Sequence, residues 1–263
     1  MDRCRLLGKS TSTKLSITKE NYILKKLKDA FGAALYAYHR QGTGYLMAKR
    51  DDGLLSDAGG LKVYFDEYAN WPIREKRALK LINKTDKVLD IGCGTGRHAL
   101  YLQGKRIDVT GMDNSPLAIK VCKKRGLKKA KVLSIEQING KTGKFDVFLM
   151  MCNNFGLFGT DKKAKRLLKR FYKLSSPGAR IITESYDSNT PVFRSYRAFN
   201  KKKKRHPGSF RIKLAYGAYE SGWMDYIRVS PKELKEILKG TGWQVSKIFP
   251  TKYYSYVAVL TKI

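Results

Sequence analysis

Val88-Leu89-Asp90-Ile91-Gly92-Cys93-Gly94-Thr95-Gly96 is the stretch from which the fold is read. An apolar run carries an acidic residue near its end, and three glycines follow at every second position. The run reads as a buried parallel strand, and Arg97-His98-Ala99-Leu100-Tyr101-Leu102 reads as the start of a helix. Glycine lets the backbone turn tightly and lets a ligand lie directly against main-chain N–H groups. A strand, a glycine turn and a helix in this order form a nucleotide site.

The spacing restricts which nucleotide. A dinucleotide fingerprint is G-x-G-x-x-G, with a pyrophosphate at the helix N-terminus. Here the spacing is G-x-G-x-G, one residue shorter, and Asp90 places a negative charge beside the loop. An anion is repelled there, whereas a ligand with an ammonium group is attracted. No Gly-Lys-Ser/Thr follows, which excludes a P-loop. Asp108-Val109-Thr110-Gly111-Met112-Asp113 supplies a second short strand ending in an acid. Ser115 is a good N-cap and Pro116 suits the first helical position. A carboxylate about 20 residues past a glycine loop is placed to accept hydrogen bonds from both ribose hydroxyls.

Leu89 to Gly96, taken with Thr110-Gly111-Met112-Asp113-Asn114-Ser115-Pro116, resembles motifs I and II of the class I S-adenosylmethionine-dependent methyltransferases. The likeness is closest to the group that includes many small-molecule methyltransferases, and it runs from about Tyr64 to the C-terminus. It implies S-adenosyl-L-methionine as cofactor and a Rossmann-like α/β fold. That fold is a seven-stranded, mostly parallel sheet with an antiparallel last strand and helices on both faces. Asp90, Gly92, Cys93, Gly94 and Gly96 would form the first half of the cofactor site, and Asp113 with Asn114 the second. The family usually holds adenine with an Asp at the end of the third strand. Val132-Leu133-Ser134-Ile135-Glu136 lacks that Asp, leaving Ser134 or Glu136 for the adenine amine and Ile135 for the ring, or Glu136 as a solvated loop charge. Phe145 to Gly156 resembles the fourth-strand motif, with Met151 and Cys152 beside the methionine part of the cofactor.

The remaining pattern agrees with this fold. Strands are predicted at 87–91, 108–112, 130–134, 145–151 and 179–185, with helices near 97–103, 116–125 and 162–174. Ser230-Pro231-Lys232-Glu233 opens a further helix with a capping box, and Trp243–Phe249 and Tyr253–Thr261 read as an antiparallel pair. The chain divides into a basic extension with a helical segment over 1–60 and a methyltransferase domain over 61–263. A β-ribbon insertion is expected near 191–229, from Phe210–Tyr216 and Tyr219–Val229. At 263 residues and 42% hydrophobic content the chain can bury a full core, and no apolar run is long enough for a bilayer. Cys4, Cys93, Cys122 and Cys152 form no C-x-x-C pair, so no metal site or disulfide framework is expected, and reduced thiols suit a cytoplasmic protein.

Candidate acceptor residues lie on both sides of the core. Tyr64, Tyr68 and Trp71 belong to an aromatic segment that either closes the site or packs a helix onto the sheet. Asn153 and Asn154 follow the fourth strand, without the prolines of amino-directed relatives, and Tyr216 and Trp223 mark the ribbon as a lid. Cys152 lacks a preceding proline and reads as a core cysteine rather than a nucleophile. The expected acceptor is a small molecule. RNA or a ribosome-associated protein is the second class, because the formal net charge is +32. Lysines are spread along the whole chain, and only Lys201-Lys202-Lys203-Lys204-Arg205 is dense enough to resemble a phosphate-binding or flexible loop. A non-catalytic protein that keeps the fold is the third reading, and the intact Asp90, glycine loop and Asp113 argue against it.

Overall fold

The computed structural model describes residues 28–250 and 254–263. Cys4 and residues 1–27 of the basic extension lie outside the described residues. Helix α1 (Ala30–Gln41) and strands β1 (Met47–Arg50) and β2 (Leu55–Asp57) precede a short helix, α2 (Ile73–Leu79). The core alternates β3 (Lys87–Ile91), α3 (Arg97–Gly104), β4 (Asp108–Asp113), α4 (Pro116–Lys124), β5 (Ala130–Val132), β6 (Phe145–Met150), α5 (Asp161–Lys173) and β7 (Ser175–Tyr186). Helix α6 (Arg194–Lys202) leads into β8 (Ser209–Tyr216), β9 (Tyr219–Glu220) and β10 (Met224–Ile227). Helix α7 (Pro231–Leu238) and the hairpin β11 (Trp243–Pro250) and β12 (Ser255–Lys262) complete the order.

The large sheet has the order β11-β12-β7-β6-β3-β4-β5. Strands β3 to β7 pair in parallel, and β12 runs antiparallel to both β7 and β11, as the resemblance implies. Strand β6 shows why both faces are covered. Phe148 and Met150 join the core under α5 and α7, while Val147 and Leu149 join the core under α2, α3 and α4. In α5 the buried residues Ala164, Leu167, Leu168 and Phe171 follow helical spacing, whereas Lys162, Lys165, Arg166 and Lys169 face water. That lysine run is a solvated face.

Local capping sets the boundaries. The Ser115 hydroxyl accepts from Ala118 N–H at 2.9 Å at the start of α4, and Ser230 and Glu233 form the reciprocal box at the start of α7. The third core strand stops at Val132, short of the expected 134. There the Ser134 N–H donates to Gln137 Oε1 at 2.9 Å, and this cap turns the chain away from the sheet. Lys201 and Lys202 form the last turn of α6 rather than a loop.

The expected ribbon is present as β8 to β10, but its joining with the segment before the core in a second sheet is not foreseen by the sequence pattern. β8 pairs β10 on one side and β1 on the other, β1 pairs β2, and β9 folds back on β8. The segment before the core and the ribbon after it therefore share one sheet. Helix α1 packs on its inner face through Ala30, Ala34 and Leu35, with Leu46, Leu61 and Leu214. One carboxylate fastens this layer to the core. Asp29 Oδ1 accepts from Gly32 N–H at 2.9 Å, while Asp29 Oδ2 accepts from the Ser115 hydroxyl at 2.8 Å and Leu117 N–H at 3.1 Å. The helices meet closely because residue 32 is glycine, where a Cβ would stand 2.1 Å from Ser115 Oγ. Asp29→Ala is expected to lower stability by about 1–2 kcal/mol in urea unfolding and to speed amide exchange in α1 more than in β3 or β6.

Candidate active site

The glycine loop is folded back onto its neighbouring strand. Gly92 and Cys93 donate their N–H groups to Met112 O at 2.8 and 3.0 Å, and Gly94 N–H donates to Asp113 Oδ2 at 3.0 Å. These donors are used within the protein, so the loop meets a ligand through its shape rather than as a cradle of free N–H groups. Gly92, Gly94 and Gly96 have φ of 70°, 56° and 79°, which side chains rarely tolerate. A Cβ on Gly92 would stand 2.7 Å from Asn154 Nδ2, and one on Gly94 would stand 3.3 Å from the Tyr64 ring. Asn154 holds the turn from the other side, donating to Ile91 O and Gly92 O, both at 2.9 Å.

Two buried acids flank the loop. Asp90 is 2% exposed, and its Oδ2 has no hydrogen-bond partner. Burial pushes its carboxyl up to about 6, against the pull of His98 and Arg97 in the first turn of α3. Asp113 Oδ1 accepts from Ser115 N–H at 2.9 Å, and each of its oxygens keeps a second lone pair. Burial raises it to about 6 as well; the Ser115 and Gly94 N–H groups oppose the shift, and Asp29 and Asp90 add to it.

A second cluster stands past the end of β6. Arg97 donates to Glu75 Oε2 at 2.8 Å and to Cys152 Sγ at 3.0 Å, and His98 Nε2 lies 2.9 Å from Glu75 Oε2. Burial pushes Glu75 upward, but the His98 and Arg97 contacts outweigh it and hold the carboxyl below its usual range. Cys152 and Asn153 both adopt left-handed backbone, with φ of 59° and 63°. Two contacts hold this strained pair: Cys152 N–H donates to Glu184 Oε2 at 2.9 Å, and Tyr186 N–H donates to Asn153 Oδ1 at 3.0 Å. Arg74 Nε in turn donates to Glu184 Oε1 at 2.9 Å. Cys152 opens onto the cleft, yet crowding by the protein raises its thiol to about 12; Arg97 opposes the shift, and Glu75 and Glu184 add to it. Glu75, His98 and Cys152 bring three potential metal-ligand atoms within 4.8 Å, but Arg97 is hydrogen-bonded to two of the three residues.

Aromatic residues roof this region. Tyr64 lies over Gly94 and meets Phe31 of α1 edge-on at 5.3 Å. The Thr95 hydroxyl donates to the Tyr64 carbonyl. Tyr226 of β10 lies on Gly156, where a Cβ would fall 2.1 Å from the ring. Desolvation raises both phenols strongly, and Asp113 and Cys152 add to the shift in each, so the two rings share one crevice.

The other residues singled out from sequence lie as follows. Asn114 is exposed just past Asp113, and Met151 is buried behind β6. Cys93 turns toward α4, its sulfur 3.8 Å from that of Cys122. Ile135 enters the core, and Glu136 pairs with Lys163 on α5. Tyr68 stacks on Tyr101 at 4.4 Å, and Trp71, 4% exposed, donates to Asp66 O at 2.7 Å. Tyr216 packs toward α1, and Trp223 is 41% exposed beneath Arg211. Phe31, Glu75, Arg97, Glu184 and Tyr226 were not singled out. Only the alternation of the ribbon pointed toward Tyr226, and nothing local marks the other four.

Residues 88–178 match the family described as Methyltransferase domain. A putative methyltransferase of Bacillus subtilis, YqeM, is 24% identical over 106 residues, spanning 39% of this chain and 43% of that relative. The chain thus matches less than half the length of that curated relative. An S-adenosylmethionine-dependent methyltransferase from Bacteroides fragilis, solved with S-adenosyl-L-homocysteine, superimposes with a TM-score of 0.76 at 25% identity, covering 90% of this chain and 95% of the other. A counterpart from Methanosarcina mazei gives a TM-score of 0.57 at 20% identity, over 73% of this chain and 98% of that one.

S-adenosylmethionine fits what is present. Asp90 offers an unpartnered buried oxygen to an ammonium group, Asp113 offers lone pairs to hydroxyls, and Gly92 and Gly94 leave room that a Cβ would fill. The sign of the pH dependence follows from Asp90. Its carboxyl is raised above the ordinary carboxylate range near 4, so its protonated form favours the ligand-free fold, and that contribution is lost as pH rises through about 6. An ammonium group needs the ionised form. S-adenosylhomocysteine affinity is therefore expected to fall by up to about ten-fold per pH unit below 6, and Asp90→Asn should flatten that slope in calorimetric titrations. Asn154→Ala, which frees two carbonyls beside the loop, is expected to cost about 1–3 kcal/mol in thermal or urea unfolding.

Proposed function

We propose that this chain, a member of the class I S-adenosylmethionine-dependent methyltransferases, transfers a methyl group to a small-molecule acceptor. The observation that supports the acceptor class is the roof. Phe31, Tyr64 and Tyr226 come from three segments outside the strand–helix core; Phe31 and Tyr64 meet over Gly94, and Tyr226 lies on Gly156. Walls of this kind suit a compact, partly apolar ligand, whereas a polymer needs an open channel with cations along its backbone and stacking platforms for its bases.

Bound S-adenosylmethionine supplies a methyl group on a sulfonium, which is already electrophilic. The chain's part is to position the acceptor and exclude water. In this reading Asp90 takes the ammonium end and Asp113 the ribose, while the strained Cys152–Asn153 backbone lies beside the methionine part. Tyr64 and Tyr226 stay protonated at neutral pH, so they serve as hydrogen-bond donors rather than bases. Desolvation likewise raises the Cys152 thiol, against the pull of Arg97, which disfavours the thiolate at neutral pH.

The net charge of +32 favours RNA as the second reading. The two separate cleanly by methyl transfer from labelled cofactor into fractionated cell extract. Label in the small-molecule pool is expected, and label in RNA, together with salt-sensitive binding to bulk RNA, would overturn the first reading. Asp113→Ala is expected to weaken S-adenosylhomocysteine binding by about ten-fold or more, and unchanged affinity would remove the ribose assignment.

A further inference from the structure

Arg228 follows β10 directly, and its guanidinium sits in an aromatic slot. Its Cζ lies 3.8 Å from the Phe210 ring centroid, 4.2 Å from that of Phe193 and 5.4 Å from that of Tyr186. Among the described residues its side chain makes no ion pair or hydrogen bond to protein, and its Nε is buried without a partner. Other arginines are paired: Arg50 with Asp52, Arg74 with Glu184, Arg97 with Glu75, Arg180 with Asp86, Arg197 with Glu233 and Arg205 with Asp51. The ionisable groups that bear on Arg228 are the phenols of Tyr186, Tyr196 and Tyr226 and the cation of Arg50. Desolvation, with Arg50 adding to it, pulls Arg228 down to about 10.

The slot is fixed and lies next to the cleft. Arg228 N–H donates to Gly208 O at 2.8 Å, and a Cβ on Gly208 would stand 1.8 Å from Arg228 O, so the backbone here is clamped. Tyr226 stands two residues earlier, on the same face of the strand, and faces Phe210 across the β10–β8 pair. Its phenol feels Asp113, Cys152 and Arg228 together, which links the slot to the cofactor end of the cleft. Tyr186 ends β7, so the slot lies beyond the carboxyl ends of the parallel strands, where ligands of open α/β sheets bind. Arg228 is half-buried, and a partly desolvated cation without a counter-charge is unfavourable, while a guanidinium presents a planar fork that matches carboxylate and phosphate.

We infer that Arg228 binds an anionic group of the methyl acceptor, which is a small acid whose apolar body lies along Tyr226 between the slot and Cys152. This rests on the small-molecule reading of function given above. The test uses the full chain saturated with S-adenosylhomocysteine and titrated calorimetrically with benzoate, phenyl phosphate and neutral benzamide. At least one anion is expected to bind ten-fold or more tightly than benzamide, and the better of the two names the carboxylate or the phosphate. Arg228→Met is expected to weaken that anion by ten-fold or more with the melting temperature and S-adenosylhomocysteine affinity unchanged. Arg228→Lys, which keeps the charge but not the fork, should recover part of the loss. Benzamide binding as well as both anions in the wild-type protein overturns the inference without any variant. So does a folded Arg228→Met that keeps wild-type anion affinity, which would show that the general positive charge is responsible. Failure to bind S-adenosylhomocysteine at all would overturn the function proposed above instead.

Discussion

The constraint on which the site depends is the closure of the glycine turn onto the end of β4. Met112 O receives two N–H groups, and Asp113 receives a third. With its donors spent internally, the turn holds one shape before any ligand arrives. This explains why a glycine-rich loop beside a helix need not bind phosphate. Phosphate loops work by leaving N–H groups free and pointing outward, and this loop has given them to the neighbouring strand. What the turn brings together instead is two buried acids, Asp90 and Asp113.

Those acids are held in tension. Asp90 and Asp113 both lie in protein, and each raises the energy of the other's ionised form. A ligand carrying a cation relieves that repulsion, whereas an anion worsens it. The opposite situation holds at the aromatic slot, where the Arg228 guanidinium has no acidic partner among the described residues. Two buried acids thus stand beside the glycine turn, and a cation without an acidic partner stands at the small sheet.

The core was legible because its signals are local. Apolar runs, caps and glycines placed β3, β4, β6, β7 and the terminal hairpin within a residue or a few of their observed bounds. The Ser115-Pro116 and Ser230-to-Glu233 starts were readable as written. The joining of β1 and β2 to the ribbon was not legible, since they are only four and three residues long, β2 pairs only with β1, and β1 finds its partner, β8, on the other side of the core in sequence. No pattern inside Met47–Arg50 names that partner. The same limit hid the cluster around Arg97. Its ion pair with Glu75 and its contact with Cys152 join residues from three distant segments, and an arginine in a first helical turn reads from sequence as a surface residue. Tyr68 and Trp71 show the converse, because aromatic density is the same signal for a lid and for a packed helix.

The pairing of Met47–Arg50 with Ile212–Ala215 has a kinetic meaning. A contact between positions so far apart closes a very large loop, and the entropy of that closure falls only once the intervening chain is compact. A compact Rossmann-like core between these two segments lowers that cost by bringing the two halves of the small sheet near one another. The pairing within the small sheet thus depends on the core between its two segments being in place.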